Sequence, residues 1–457
     1  MLNRRLVYNT LLLTGTSLLM QAIGMAFQAW LAGRVGAGGI GLYQLTLSVT
    51  NLAATFAISG VRFAATRLVA EELGAENADG VGAVMDRCLG YGAFFGTAAL
   101  LILRFLALPL GAGWIGDGRT VRSLELSACS MPCIALCSAL SGYFTACGRV
   151  WKPALIHLIE QLVTIALTAK FLAAVPGGDL EKSCAAVTAG RLGGDVASLL
   201  LMLLAYRLDR EAHLGQGSGG ERVTGRMLRI ALPLALSAYA RSALSTLQHL
   251  LVPRGLRAAG YSADRALAGY GVIQGMALPV VLFPSCLLAA LSELIVPTLT
   301  EAQVRHDAAG IRRAVRTLLS RCLAYSLLTA AFLFLCAAPL GWYIYQNSQA
   351  GRFIRILAPL IPILYTDMAV DGCLKGLGEQ VWSMGVNIFD ALLGLLLVWQ
   401  LLPRYALAGF LIMVYATEIV NFLLSALRLV KVIRLTGLRS SQETAAQRSQ
   451  ARPAQTA

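Results

Sequence analysis

Three guanidinium groups stand inside stretches of this chain that are otherwise almost free of charge: Arg62, Arg191 and Arg241. Holding a guanidinium at the centre of a hydrocarbon layer costs at least about 2.5 kcal/mol even on lenient scales, so each must face water, a carboxylate or an anionic ligand. Polar side chains accompany them at helical spacing. Asn9, Ser17, Gln21, Gly24 and Gln28 follow one helical face, Gln44, Ser48, Asn51, Thr55, Arg62 and Thr66 a second, and Ser237, Arg241, Ser245 and Gln248 a third. A lone polar residue in such a stretch commonly ties helices together for about 0.6 kcal/mol. Stripes of four or more that include a cation point instead to a wet cavity. Among the acids, Arg191 and Asp195 lie four apart and are able to satisfy each other. Asp367, Asp371 and Lys375 share one face, either as a self-satisfied strip or as a cation or proton site that would couple the chain to an ion gradient. Glu160, Glu293, Asp390 and Glu418 also carry titratable groups, and the sequence does not rank them.

Other chemistry is poorly supported. Cys129, Cys133 and Cys137 share a face but have no His or acid in register, so they read as small apolar packers and no metal is expected. The ten Cys are scattered through apolar segments, which argues against a disulfide framework. The four His show no paired spacing, and no P-loop, Ser elbow or dinucleotide Gly pattern occurs. No cofactor, no catalytic residue and no enzyme activity are therefore expected. An enzyme acting on polyprenyl phosphates would need acids or His gathered at a membrane surface, and the one acidic stretch, Glu71 to Asp79, reads as a solvated turn.

The elements that must position these groups are membrane helices. The chain is 57% hydrophobic and 14% charged with a mean hydropathy of +0.67, far from a soluble composition. Crossing the hydrocarbon takes roughly 20 helical residues, and twelve stretches reach that length, including Leu6 to Gly33, Val35 to Val61, Leu126 to Gly148 and Cys322 to Ala350. No alternating barrel pattern appears, so the chain is read as an all-α membrane protein of twelve transmembrane helices.

These helices fall into two lobes of six related by internal duplication. Ser17, Gln21, Gln28 and Arg34 recur as Ser237, Arg241, Gln248 and Arg254, and further on Pro132, Gly142, Gly148 and Glu160 recur as Pro362, Gly372, Gly378 and Asp390. The paired prolines suggest one bend shared by equivalent helices, a hinge for alternating access. The boundaries expected are 1–208 for the first lobe, 209–222 for a Gly-rich cytoplasmic linker, 223–435 for the second lobe and 436–457 for a disordered cytoplasmic tail.

Lys and Arg set the orientation. With the N-terminus inside, twenty-three of the 38 fall on the cytoplasmic side against twelve outside, so both termini of a multi-pass cell-membrane protein are expected in the cytoplasm. The formal charge of +14 is spread over short loops, which identifies membrane lipids rather than nucleic acid as its partner.

The Arg4-Arg5 opening, the Gly-rich exit from Arg34 through Gly41-Leu42-Tyr43, and the run from Gly60 to Glu71 resemble the multidrug/oligosaccharidyl-lipid/polysaccharide (MOP) exporter superfamily, and within it the polysaccharide flippases of the stage V sporulation protein B type. The resemblance covers about residues 5 to 435. It implies a MATE-like fold around a central cavity, with a lipid-linked anionic oligosaccharide or peptidoglycan precursor moved outward by alternating access. It also implies that Arg34, Arg62 and Arg241, with Arg254 as a duplicate, receive the diphosphate of a polyprenyl-linked glycan. Gln21, Gln28, Asn51 and Gln248 on the polar stripes complete the expected substrate-binding set, and the protein is expected to act as a monomer.

The alternative within the same fold is a MATE-type cation-coupled exporter of drugs or other small molecules, using Asp367 and Asp371 and a proton or sodium gradient. Proton-coupled drug exporters of the superfamily place an acid in the first helix, and none lies between Leu6 and Gly33 here.

Overall fold

The computed structural model describes residues 2–175, 178–213, 221–305 and 307–450, without the side chains of residues 2–14, 78, 211–213, 221–222, 290, 293–294, 297 and 436–450. The expected linker lies partly outside them, at 214–220, as do His306 and the end of the expected disordered tail. The side chains of Asn9 and Glu293 also fall there. Among the described residues the fold is helical throughout, without strands.

The helices are α1 (Leu2–Ile58), α2 (Val61–Gly74), α3 (Ala78–Leu108), α4 (Val121–Ala146), α5 (Trp151–Ala173), α6 (Leu180–His213), α7 (Glu221–Ala258), α8 (Ala263–Val272), α9 (Leu278–Leu282), α10 (Cys286–Val304), α11 (Ala308–Tyr345), α12 (Ser348–Leu357), α13 (Ile361–Gly376) and α14 (Gln380–Gln450). Among the described residues ten stretches are long and apolar enough to cross a membrane. Two of them contain a backbone break that separates two helices, at Gly36 (φ 68°, ψ 177°) in α1 and at Ala406 (φ 51°, ψ −130°) in α14. Dividing the ten at those breaks gives the twelve helices expected. Glycine at position 36 fits the break, because φ near +70° costs a residue without Cβ little.

Contacts group the chain into two units, Met1–Met276 and Ala277–Ala457. In the first, α1 packs against α4, α7 and α8, α2 against α4 and α7, and α5 against α6. This unit extends through α7 and α8, past the linker expected between the repeats. In the second, α10 packs on α13, α11 on α12 and α13, and α13 on α14.

In lipid there is no hydrophobic driving force between apolar helices, so close approach through small residues holds them together. The crossing of α1 and α8 is the clearest case. A Cβ on Gly41 would lie 2.2 Å from the carbonyl oxygen of Leu267, and one on Gly271 would lie 2.2 Å from that of Ala37. The two backbones touch there because neither residue has a side chain.

The duplication is visible in bonds within each unit. Thr66 Oγ1 donates to the carbonyls of Arg62 (2.9 Å) and Gly142 (3.1 Å), and Thr300 Oγ1 to those of Val296 (2.9 Å) and Gly376 (2.9 Å). Asn77 Oδ1 caps α3 by accepting from Gly80 N, as Asp307 Oδ1 caps α11 by accepting from Gly310 N. The paired prolines behave differently. Helix α4 runs unbroken through Pro132, whereas Pro362 stands in the first turn of α13, just after a 3-10 turn at Ala358–Leu360. A proline near the start of a helix removes no intrahelical bond, so equivalent positions do not impose equivalent bends.

Charged groups fasten both ends of α7 to the rest of the first unit. At one end Arg226 bridges Glu71 and Glu72 of α2, just before the exposed turn between α2 and α3 that was expected there. At the other, Arg257 donates to the carbonyls of Ile115 (3.0 Å) and Gly116 (3.4 Å), and Arg254 to that of Gly113. Those carbonyls are free because the π-turn Pro109–Ile115 ends on Gly116 at φ 74°. Beside them, burial works to raise the carboxyl pKa of Asp117, but hydrogen bonds from Arg119 outweigh it and hold the group below its ordinary value.

Candidate functional site

Among the cavities of the first unit, two hold the arginines of the apolar spans, and they differ in charge. One, of about 390 Å³, is walled by α1, α7, α8 and the turn after α8. Gln44, Ser48, Asn51 and Thr55 step along α1 to form one wall, and Arg241, Ser242, Ser245, Thr246 and His249 form the α7 wall. Tyr270 and Gln274 close it. Local bonds fix these walls: Thr246 Oγ1 donates to the Ser48 carbonyl (3.1 Å), Thr55 Oγ1 to Ser242 Oγ (3.3 Å), and Tyr270 OH lies 3.2 Å from His249 Nδ1. No carboxylate is among the lining residues, and among the described residues no acid forms an ion pair with Arg241. The Arg241 side chain is exposed to this space. A guanidinium among hydroxyls and amides, with no fixed counter-charge, is suited to phosphate, which accepts the paired N–H donors that Arg presents.

The second cavity, of about 250 Å³, lies among α1, α2, α4, α5 and α6. Arg62 and Arg191 face it together with Glu160, Asp195 and His157. His157 Nδ1 is 2.9 Å from Glu160 Oε2. The ion pair expected between Arg191 and Asp195 is not formed: no salt bridge joins them, and Asp195 Oδ2 is buried without a hydrogen-bond partner. Both side chains instead line the hollow beside α6. With two cations against two acids, this cavity balances its own charge.

The remaining expected ligands sit apart from these spaces or are already engaged. Gln28 Nε2 donates to the Gly275 carbonyl (2.8 Å). Gln21 is exposed on α1, and Gln248 is half-buried on α7. The Arg34 guanidinium lies over the Trp30 ring, 5.8 Å from its centroid, and Arg254 holds the π-turn. Asn51 and Arg241 thus share one cavity, and Arg62 lies in the other. His249, Tyr270 and Gln274 were not singled out from the sequence. Tyr270 and Gln274 reach the cavity only through the α1–α8 crossing, which spacing does not mark, whereas His249 lies one turn beyond Ser245 on α7 and continues the Arg241 stripe.

In the second unit Asp371 forms a salt bridge with Lys375 (2.6 Å), one turn away. Asp367 is different. Its Oδ1 is buried without a partner, as is that of Asp390 on α14.

The sequence matches MatE over residues 13–169 and 256–400, more than half of the chain. The chain belongs to the MatE family. This MatE protein is 23% identical over 434 residues to stage V sporulation protein B of Bacillus subtilis (strain 168), a match that covers 93% of the chain and 84% of that relative. Its fold is similar to that of the lipid II flippase MurJ in an inward closed conformation, with a TM-score of 0.71 at 13% identity, covering 94% of this chain and 90% of that one. It is equally similar to an inward-facing multidrug resistance MATE family transporter of the MOP superfamily, with a TM-score of 0.71 at 15% identity over 91% of this chain and 96% of the other. The family match and the twelve helices agree with the resemblance read from the Gly60–Glu71 run: the protein is a multi-pass membrane protein of the MatE family, and it shares its fold with a lipid II flippase and with a MATE transporter of the MOP superfamily.

Proposed function

We propose that this protein is a flippase that carries a polyprenyl-linked anionic glycan, such as a peptidoglycan precursor or another lipid-linked saccharide, across the cell membrane by alternating access. One observation carries the reading: Arg241 opens into a polar cavity whose walls hold no carboxylate. Such a cavity attracts a diphosphate and repels the cations that drug exporters move. Asn51, on the facing wall, joins Arg241 as a substrate ligand, and Arg62 serves the neighbouring cavity. The kinship with a lipid II flippase supports the same substrate class. Both termini face the cytoplasm in this reading, the repeats at 1–208 and 223–435 act as the two lobes, and the transporter works as a monomer.

The test is reconstitution in vesicles with a fluorescent polyprenyl-diphosphate sugar in one leaflet and ethidium as the competing cationic cargo. Movement of the labelled lipid without ethidium transport is the expected result. Ethidium transport without lipid movement sinks the flippase reading in favour of the exporter, and a chemically altered polyprenyl lipid favours an enzyme.

Coupling to an ion gradient is the second part of the proposal, and it falls on Asp367 rather than Asp371. A carboxylate already bridged to Lys375 has little left to offer an ion, whereas the unpartnered oxygens of Asp367 and Asp390 can take a proton or sodium. Asp367→Asn is expected to abolish the dependence of transport on an imposed proton or sodium gradient, and Asp371→Asn to leave it in place. The reverse pattern removes the assignment.

A further inference from the structure

A groove of about 420 Å³ runs along the second unit between the first part of α14 and the part that follows its break at Ala406. Its floor is Val386, which is buried, and Gly385, whose missing side chain leaves open space: a Cβ built there meets nothing within 4 Å. Trp382 and Phe389 form one bank, and Leu424 forms the other. Trp382, Val386 and Phe389 are spaced four and three apart on one helical face, so the groove runs lengthwise with the helix. Trp382 is 39% exposed and Phe389 48% exposed, so this apolar surface is uncovered by the protein.

One end of the groove is charged. Arg428 donates through its NH2 group to Glu379 Oε2 (2.9 Å), and its guanidinium carbon sits 4.9 Å from the centroid of the Trp382 ring. This pair is nearly neutral. Lys431 is not: it lies one turn beyond Arg428, on the stripe formed by Leu424, Arg428 and Lys431 at steps of four and three, and it is exposed. Among the described residues no carboxylate pairs with Lys431. The apolar trough therefore ends at an indole and the guanidinium stacked on it, and an uncompensated cation stands one helical turn further along the same helix. Trp at such a boundary is characteristic of the membrane–water interface, where its ring and N–H meet different surroundings.

We propose that this groove holds one anionic glycerophospholipid of the bilayer, with an acyl chain lying over Gly385 between Trp382, Phe389 and Leu424, and the phosphate held by Lys431 and the free edge of Arg428. Charge selects the occupant: a neutral or zwitterionic lipid leaves Lys431 uncompensated, whereas a phosphate monoanion with a neutral headgroup balances it. Length agrees as well, since a helix rises about 1.5 Å per residue and the stretch from Trp382 to Phe389 alone offers roughly 10 Å of trough for a chain. The site is separate from the Arg241 cavity and shares no residue with it, so this inference and the substrate reading stand or fall apart.

The experiment is native mass spectrometry of the full chain released from nanodiscs containing phosphatidylglycerol and phosphatidylcholine in equal amounts, with thermal unfolding in detergent as a second readout. The unsubstituted protein is expected to retain one phosphatidylglycerol and to unfold at higher temperature when that lipid is added. Lys431→Gln is expected to weaken retention about fivefold, the scale of one basic side chain near an anionic lipid surface. Gly385→Leu projects into the trough from a position where a Cβ meets no atom within 4 Å, so it is expected to fold, to lose the retained lipid and to lose the thermal response. Equal retention of phosphatidylcholine, or a bound lipid unaffected by Gly385→Leu, overturns the proposal. Displacement of the phosphatidylglycerol by equimolar polyprenyl phosphate also overturns it and makes the groove a seat for the substrate's tail.

Discussion

Arg241→Ala is expected to lower translocation of a labelled polyprenyl-diphosphate sugar about 10- to 100-fold, the range that follows from losing a hydrogen bond to a charged group. Arg62→Ala in the same vesicles is expected to stay within about fivefold, the scale of a solvent-screened charge pair. The difference comes from the surroundings and not from the side chains, which are identical. Arg241 faces hydroxyls, amides and an imidazole, and nothing on the cavity wall answers its charge. Arg62 shares its cavity with Glu160 and Asp195, so removing it alters an internal balance rather than a ligand contact. Arg241→Lys separates charge from geometry: partial activity means that a cation suffices, and alanine-like activity means that the paired guanidinium donors are needed. Equal losses at Arg62 and Arg241 would show that both cations receive the substrate and would remove the distinction between the cavities.

What the sequence made legible, and what it did not, divides along physical lines. Uncharged runs and the recurrence of Pro132, Gly142 and Glu160 as Pro362, Gly372 and Asp390 reveal helix number and duplication, because length and period are properties of the chain itself. Stripes such as Gln44, Ser48, Asn51 and Thr55 reveal a polar wall, because one helix places them on one side. Which walls face each other is decided by helix crossings, and these are invisible in spacing. The sequence therefore groups Arg62 with Arg241, whereas the packing of α2 on α4 turns Arg62 toward His157, Glu160 and Asp195. For the same reason Arg191 and Asp195, four apart, suggest a pair and yet both open onto a hollow. Neighbours along a helix are able to bond, but a cavity beside them offers each another direction. Asp371 and Lys375, at the same spacing but lining neither of those hollows, do form the i, i+4 bridge.

Crossings that cannot be read from spacing still leave a trace in the glycines, and the second large effect is expected there. Gly41→Leu is predicted to prevent recovery of folded protein, since its Cβ would stand 2.2 Å from the Leu267 carbonyl oxygen, a backbone atom that no rotamer change can move aside. Overpacking of a well-packed site costs about 1–3 kcal/mol where side chains adjust, and more where the backbone itself must shift. The consequence extends beyond stability. The α1–α8 contact holds Gln44 opposite Tyr270 and Gln274, so separating these helices would pull the Arg241 cavity apart as well. Gly41→Ala makes the test graded, because its single methyl group already violates the contact and should give protein with lowered thermal stability and lost transport together. Gly385→Leu, in open space, is the matched control and should give a normal monodisperse peak on fluorescence-detected size exclusion. If Gly41→Leu behaves like that control, then α1 and α8 do not meet backbone to backbone, and the walls assigned to the Arg241 cavity are not neighbours.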